Sequence, residues 1–321
     1  YHTNNLQGVG TCACKDVQTL KDQPLVERHE AYVRKITQEV NPFDNVVLEI
    51  CDEPGIHGTS PAAYSPWISR LIDVIVETEK TLPNRHLIAQ QVCGTLGGDG
   101  DFSPDPRVGV IVGQYVGPTD GKQFGGMQLL DAEYGWEKPI ELNETAFYPI
   151  WYTGDREAAS RVEAWEFITG GGASFNHLNG LFSTHNPAAR DTQNPLILGQ
   201  LQKLSAFIHS FAFLKMRRDP GMICAARTKG LFARGMSEPG RQYALYLHHS
   251  KNDKVKYIVL PGNYQDKLTF DVPGGRYDLE WIDPLTLRVV RQDTLQHPGG
   301  ALTLTTPRYS VDLALRMLAS P

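Results

Sequence analysis

Asn45-Val-Val-Leu-Glu-Ile-Cys-Asp-Glu-Pro54 is an apolar, β-branched run that stops at two carboxylates and a proline. Such a run reads as a buried strand, and proline, which has no backbone donor, cannot continue a central one. The pattern delivers Glu53 to a strand end, with Asp52 beside it. In barrels of parallel strands that end carries the chemistry, because strands fix the side chains while the following loops shape a pocket.

Working outward, residues 1–22 are polar, glycine-bearing and without period, and read as a loop or arm. Leu25, Tyr32, Val33, Ile36 and Val40 recur at helical spacing, with Pro24 placed for a helix start and Asn41-Pro42 for its stop. The periodicity predicts further helices over Ser65–Lys80, Met127–Ala132, Arg156–Thr169 and Asn194–Phe213, and strands over Arg85–Val92, Val108–Tyr115, Pro139–Glu144 and Ala173–Leu178. Strands alternating with helices imply right-handed βαβ units and a parallel sheet.

Around Lys215 the texture changes to short alternating runs, among them Gln242–His249, Lys256–Leu260, Lys267–Val272, Arg276–Trp281, Leu287–Arg291, Ala301–Thr305 and Val311–Met317. Pro/Gly turns between them recur at sandwich spacing. The expected fold class is α/β plus all-β: an incomplete (β/α) TIM-like barrel of about five strand–helix units over 1–214, followed by an antiparallel β-sandwich over 215–321.

Composition narrows the function. The 321 residues carry a formal charge of −5, with no Lys/Arg cluster interleaved with aromatics, so nucleic acid is not an expected partner. No stretch approaches ~20 apolar residues, so no membrane partner is expected either. The compartment stays open between cytoplasmic and exported. Five scattered cysteines are no disulfide framework, and Cys12-Ala-Cys14 lacks a second ligand pair for a metal. His248-His249 falls in a predicted strand, one ring on each face, without a metal role.

Lys138-Pro-Ile-Glu-Leu-Asn-Glu144 repeats the opening pattern, a short apolar strand ending in an acid. Glu141 and Glu144 differ by three positions, so a regular strand sends them to opposite faces. Glu144, at the strand end after Asn143, is the better candidate, and Glu141 is expected to pair with a basic side chain on a helix. By the same parity Glu49 shares a face with Glu53 and reads as an internal ion-pair partner one layer below. Two carboxylates on strand ends of one sheet are what glycosidic cleavage needs: a neutral acid protonates the leaving oxygen and an ionised one, roughly 5–5.5 Å away, attacks the anomeric carbon with retention.

Asn45–Pro54 resembles the fourth-strand motif of the clan A glycoside hydrolases, an apolar run ending Asn-Glu-Pro, and Lys138–Glu144 resembles their seventh strand, which ends in the nucleophile. The spacing of about ninety residues is similar too. Glu163–His177 looks like the last helix and eighth strand of bacterial members with a C-terminal β-sandwich, and Gly275–Pro284 resembles a motif of that sandwich. The resemblance implies Glu53 as general acid/base and Glu144 as nucleophile of a retaining mechanism. It places Tyr115 near the nucleophile, and Asn176, His177 and Gln91 toward the sugar. Asp52 and Asn143, the neighbours of the two acids, join this substrate-binding set. Trp136, Tyr148 and Trp151 are expected in loops after strand ends, where an aromatic face can stack on a pyranose.

Two departures stand out. Asp52 occupies the position where the family has Asn, and an ionised Asp52 would favour the protonated form of Glu53 and change how the sugar 2-position is read. Only about 45 residues precede the first catalytic strand, and the family's first three strands find no counterpart in them; a fragment of a longer chain, a naturally incomplete barrel and completion by other chains are the three open readings. Open sheet edges need cover, and the arm, the sandwich or, as the favoured expectation, a homo-oligomer supplies it. The sequence thus points to a cofactor-free retaining glycoside hydrolase on β-linked mono- or oligosaccharides, exo-acting and β-galactosidase- or β-glucosidase-like. The alternative is an inert carbohydrate-binding protein derived from such a barrel.

Overall fold

The computed structural model describes residues 12–93, 99–114, 125–145, 154–177, 194–222, 229–253 and 256–320. They form an incomplete TIM-like (β/α) barrel followed by antiparallel sheets, the fold class read from the sequence. The chain divides into two compact units, 1–116 with 132–141, and 117–131 with 142–321.

In chain order come α1 (Gln23–Val40), β1 (Val47–Glu49), α2 (Pro61–Glu79), β2 (Leu87–Cys93), β3 (Val108–Gln114), α3 (Gly125–Glu133), β4 (Ile140–Thr145), α4 (Arg156–Thr169), β5 (Ser174–His177) and α5 (Asn194–Ile208). The parallel sheet has the order β1-β2-β3-β4-β5. Local chemistry sets the helix starts. Asp22 caps α1 by accepting from the Leu25 amide at 3.2 Å, and Asp155 caps α4 from Ala158 at 3.0 Å. The second helix begins at Pro61, earlier than its apolar period suggested, because Pro61 suits a first turn and the interior Pro66 is tolerated near that end.

The first unit's core lies between α2 and the sheet: Trp67, Ile68, Leu71, Ile72 and Ile75 pack on Ile88 and Val108. Ile88 and Val108 are paired, but the next pair is Ala89 with Val110, so one residue of β3, Gly109, bulges out of register. A side chain there would begin 2.8 Å from Leu87 Cδ2, which glycine avoids. From Val110 onward the facing of β3 is inverted. At the start of β2 a polar staple joins elements: buried Glu79 accepts from the His86 amide at 3.1 Å and from Asn41, His86 Nδ1 faces Glu79, and its Nε2 faces the Phe43 carbonyl at 2.8 Å.

In the second unit the chain continues through β6 (Arg217–Arg218), β7 (Leu231–Glu238), β8 (Gln242–Asp253), β9 (Lys256–Val259), β10 (Lys267–Val272), β11 (Gly275–Ile282), β12 (Val289–His297), β13 (Gly300–Thr305) and β14 (Asp312–Ala319). The large sheet runs β12-β11-β14-β8-β7-β6 with β9 on β8, and β10 pairs with β13. Leu245, Leu247, Trp281, Leu315 and Met317 meet Leu268, Phe270 and Leu302 in one core. Tyr246, Ala244 and Met236 of the large sheet pack instead on Trp165 of α4 and Leu204, Phe207 and Ile208 of α5. The large sheet is thus covered on both faces, and α4 and α5 belong with it.

Buried charges tie α4 to this sheet. Arg161 pairs with Asp312 at 2.8 Å, and Asp312 also accepts from Tyr246 at 2.8 Å. Glu166 accepts from Tyr257 at 2.7 Å, with His248 at 3.4 Å and Arg234 at 3.9 Å. His248 therefore serves this cluster, whereas His249 stacks on Tyr264 at 3.5 Å and bonds Asp266, as one ring per face requires.

Candidate active site

The pairing of β1 with β2 ends at Ile50, whose amide donates to the Ala89 carbonyl at 3.3 Å. Three residues on, Glu53 has φ +42°, in the left-handed region that side chains rarely occupy. Such a conformation costs on the order of 1–3 kcal/mol and persists only where its surroundings over-determine it. Here they do. The Glu53 amide donates to Gln91 Oε1 at 2.7 Å, and tight turns close Ile56 on Glu53 at 3.1 Å and Gly58 on Gly55 at 2.9 Å. Gly55, at φ +83°, could not carry a side chain, since its Cβ would lie 2.7 Å from the Thr59 carbonyl.

The segment before α1 braces this loop. Gln18 accepts from the Gly55 amide at 2.9 Å and donates to Cys51 Sγ at 3.1 Å, while Thr59 donates to the Lys15 carbonyl at 2.7 Å. The expected arm is thus ordered over 12–22 and part of the acid's support.

Two glutamines meet the carboxylates. Gln91 Nε2 donates to Asp52 Oδ1 at 3.0 Å, and Gln114 Nε2 donates to Glu53 Oε1 at 2.8 Å. Both glutamines are fully buried, Glu53 is half-buried and Asp52 is exposed. Gln91 and Gln114 share the sheet face turned away from α2 because of the Gly109 bulge; without that slip Gln114 would point at the helix. Gln114 was not among the residues the sequence suggested, although a polar residue closing an apolar strand was the available signal.

At the end of β4, Glu144 also has φ +56°. Ile140 and Leu142 are buried, Leu142 against Gly126 of α3, which leaves Glu141 and Asn143 on the opposite face. Strict alternation would then turn Glu144 toward the helices. The left-handed residue breaks the alternation: Asn143 and Glu144 are consecutive half-buried positions, and buried Thr145 faces Glu163 of α4. On β5, Asn176 donates to Asn143 Oδ1 at 2.7 Å. Burial lowers the pKa of His177, which keeps the imidazole neutral at neutral pH, and its Nε2 has no hydrogen-bond partner among the described residues.

Beneath this end lies Glu163, whose carboxyl is pushed up to about 8, chiefly by burial and also by the charge of Glu166. It is protonated at neutral pH.

Three expectations change. Glu141 makes no ion pair with a helix cation among the described residues, because its face is the one away from the helices; burial raises its pKa. Glu49 is exposed rather than internal, since β1 is the first strand of the sheet order. Trp136 sits in the turn Tyr134–Trp136 that enters β4, hence at that strand's start rather than its end. Tyr115, Tyr148 and Trp151 lie outside the described residues.

The described elements are therefore parallel strands with helices, and acids at strand ends, followed in the chain by an antiparallel sandwich. This is the fold of solved glycoside hydrolases. One structure described as a glycoside hydrolase matches 92% of this chain and 69% of its own, at 13% identity and a TM-score of 0.63. A family 5 glycoside hydrolase from Bacteroides vulgatus ATCC 8482 matches 92% of this chain and 68% of its own, at 13% identity and a TM-score of 0.65. No protein-family model and no curated protein matches the sequence. At such identity the likeness speaks for fold, and the chemistry must come from the residues. Among the described residues no three His, Cys, Asp or Glu side chains stand together as a metal site, and no helix is long and apolar enough to cross a membrane.

Proposed function

We propose that the protein is a retaining glycoside hydrolase of β-linked sugars, with Glu53 as acid/base and Glu144 as nucleophile. One observation carries the reading: the acid in the loop after β1 and the acid near the end of β4 are both held in left-handed backbone, a state that only Glu137 and Leu287 share among the other described non-glycine residues. Strain of this kind gathers at functional positions. In the double displacement Glu53 protonates the leaving oxygen while Glu144 attacks the anomeric carbon. Glu53 then takes a proton from the water that releases the sugar. Asn143, Asn176 and His177 line the β4–β5 end and serve to bind hydroxyls, with Asp52, Tyr115 and Trp151 completing the proposed set, while Gln91, fully buried, supports the site from behind without touching the sugar. We favour an exo-acting enzyme on short β-galactosides or β-glucosides.

A panel of aryl β-glycosides tests this. Glu53→Gln and Glu144→Gln should each abolish turnover, by roughly 100- to 10,000-fold for the acid/base. Azide should rescue a Glu144→Ala variant as the inverted glycosyl azide. Sugar binding without turnover in the parent protein would replace the enzyme by an inert carbohydrate-binding module.

Val47 and Leu87, paired neighbours on β1 and β2, are 50% and 53% exposed. We infer that a second copy of the chain covers them, and sedimentation at monomer mass across the micromolar range would refute it.

A further inference from the structure

We infer that Gln91 and Gln114 are positioning residues for Glu53, and that Gln114 assigns the catalytic proton to the other carboxyl oxygen, Oε2. The inference rests on the proposed role of Glu53 as acid, and its premises are geometric. Both side chains are buried, at 0% exposure, so neither meets a sugar without leaving its place.

The orientation of the Gln91 amide is fixed by its partners. An amide offers donors on nitrogen and acceptors on oxygen. Gln91 faces a backbone N–H, which only donates, and the exposed carboxylate of Asp52, which accepts. Its Oε1 must therefore point to Glu53 N, at 2.7 Å, and its Nε2 to Asp52, at 3.0 Å. Asp52 thereby acquires a structural role, since it locks the amide that holds the left-handed Glu53 backbone.

Gln114 acts on the carboxyl itself. Its Nε2 donates to Glu53 Oε1 at 2.8 Å. When Glu53 is the neutral acid, Oε1 must remain an acceptor, so the proton resides on Oε2. As that proton passes to the leaving oxygen, Glu53 becomes an anion and the bond from Gln114 becomes charge-assisted, which makes it stronger. An interaction that strengthens along the reaction favours proton donation. Without it the neutral form of Glu53 is relatively favoured.

Gln114→Met keeps the length and removes the donor, and Gln114→Asn, which withdraws the amide by one methylene, serves if the first variant does not fold. Substrates with poor leaving groups, which depend on the acid, should lose roughly 10- to 100-fold in kcat/KM, while activated dinitrophenyl glycosides, which do not, should change by less than about threefold. The alkaline limb of the pH–rate profile, set by loss of the acid's proton, should move to higher pH. Equal losses on both substrates at every pH, or no change on either, would overturn the inference. Should the parent protein turn over no glycoside, the proposed function fails separately. The pH at which the 13C-labelled Glu53 carboxyl titrates then still decides: a rise in the Gln114 variant upholds the clamp, and an unmoved titration overturns it.

Discussion

The Tyr257 hydroxyl on β9 lies 2.7 Å from the Glu166 carboxylate on α4, and both groups are fully buried. Burial works against the charge of Glu166, but His248 and Arg234 beside it hold its pKa below the ordinary value. Tyr257→Phe strips a donor from a buried anion and should cost about 1–3 kcal/mol. A lower urea midpoint at unchanged slope would show it. Because the folded pKa of Glu166 is depressed, its contribution is present above the unfolded value and lost as pH falls through the folded one. Glu166→Gln should therefore blunt the acid limb of stability.

Glu163 behaves in the opposite sense. Its folded pKa, about 8, is raised above the ordinary 4.5, so the folded protein holds a proton that the unfolded chain releases. Stability from this group is complete below pH 4.5 and declines as pH rises to about 8, by an amount on the order of a few kcal/mol. Glu163→Gln should remove that decline, and thermal melts from pH 5 to 9 would reveal it as a flatter curve.

His86 presents both ring nitrogens to acceptors, the Glu79 carboxylate and the Phe43 carbonyl. Only the imidazolium can donate to both. Its pKa is raised, first by the bond to Glu79, so its contribution is present below the unfolded value near 6.5 and lost as pH rises through the folded one. His86→Gln should erase this loss, and hydrogen exchange of the Asn84 and His86 amides at pH 6 and 9 would detect it.

Gln18 is the smallest test of how the acid's loop is held. Gln18→Ala removes the acceptor of the Gly55 amide and the donor to Cys51. The Gly55 amide should exchange faster, and kcat/KM should fall with little change in the melting temperature.

Much of the fold was legible in the sequence because apolar periodicity reports which face of an element is covered. The half-barrel strands and the change of texture near Lys215 came from that signal. It failed where the pattern had another cause. The edge strand β12 continues to His297 through Gln292, Asp293 and Thr294, residues that carry no apolar alternation. The strand β7 was missed because it is buried on both faces and includes Arg234, whose charge answers Glu166. Parity placed Glu49 inside because it could not see that β1 is an edge strand, and it misplaced Glu141 and could not foresee Gln114 because a left-handed residue at 144 and a bulge at Gly109 reset the count. A one-residue slip leaves no mark in hydrophobicity.

Those two left-handed glutamates have a consequence for selection. In an ordinary strand alanine is more stabilising than glycine, but in left-handed backbone the order reverses by about 1–2 kcal/mol. Glu144→Gly should thus outlast Glu144→Ala on heating, and the same pair of variants at Glu53 should rank alike. A mutational scan scored only on protein abundance would then favour glycine at both positions. Acids that persist against such a gradient are maintained for something other than folding.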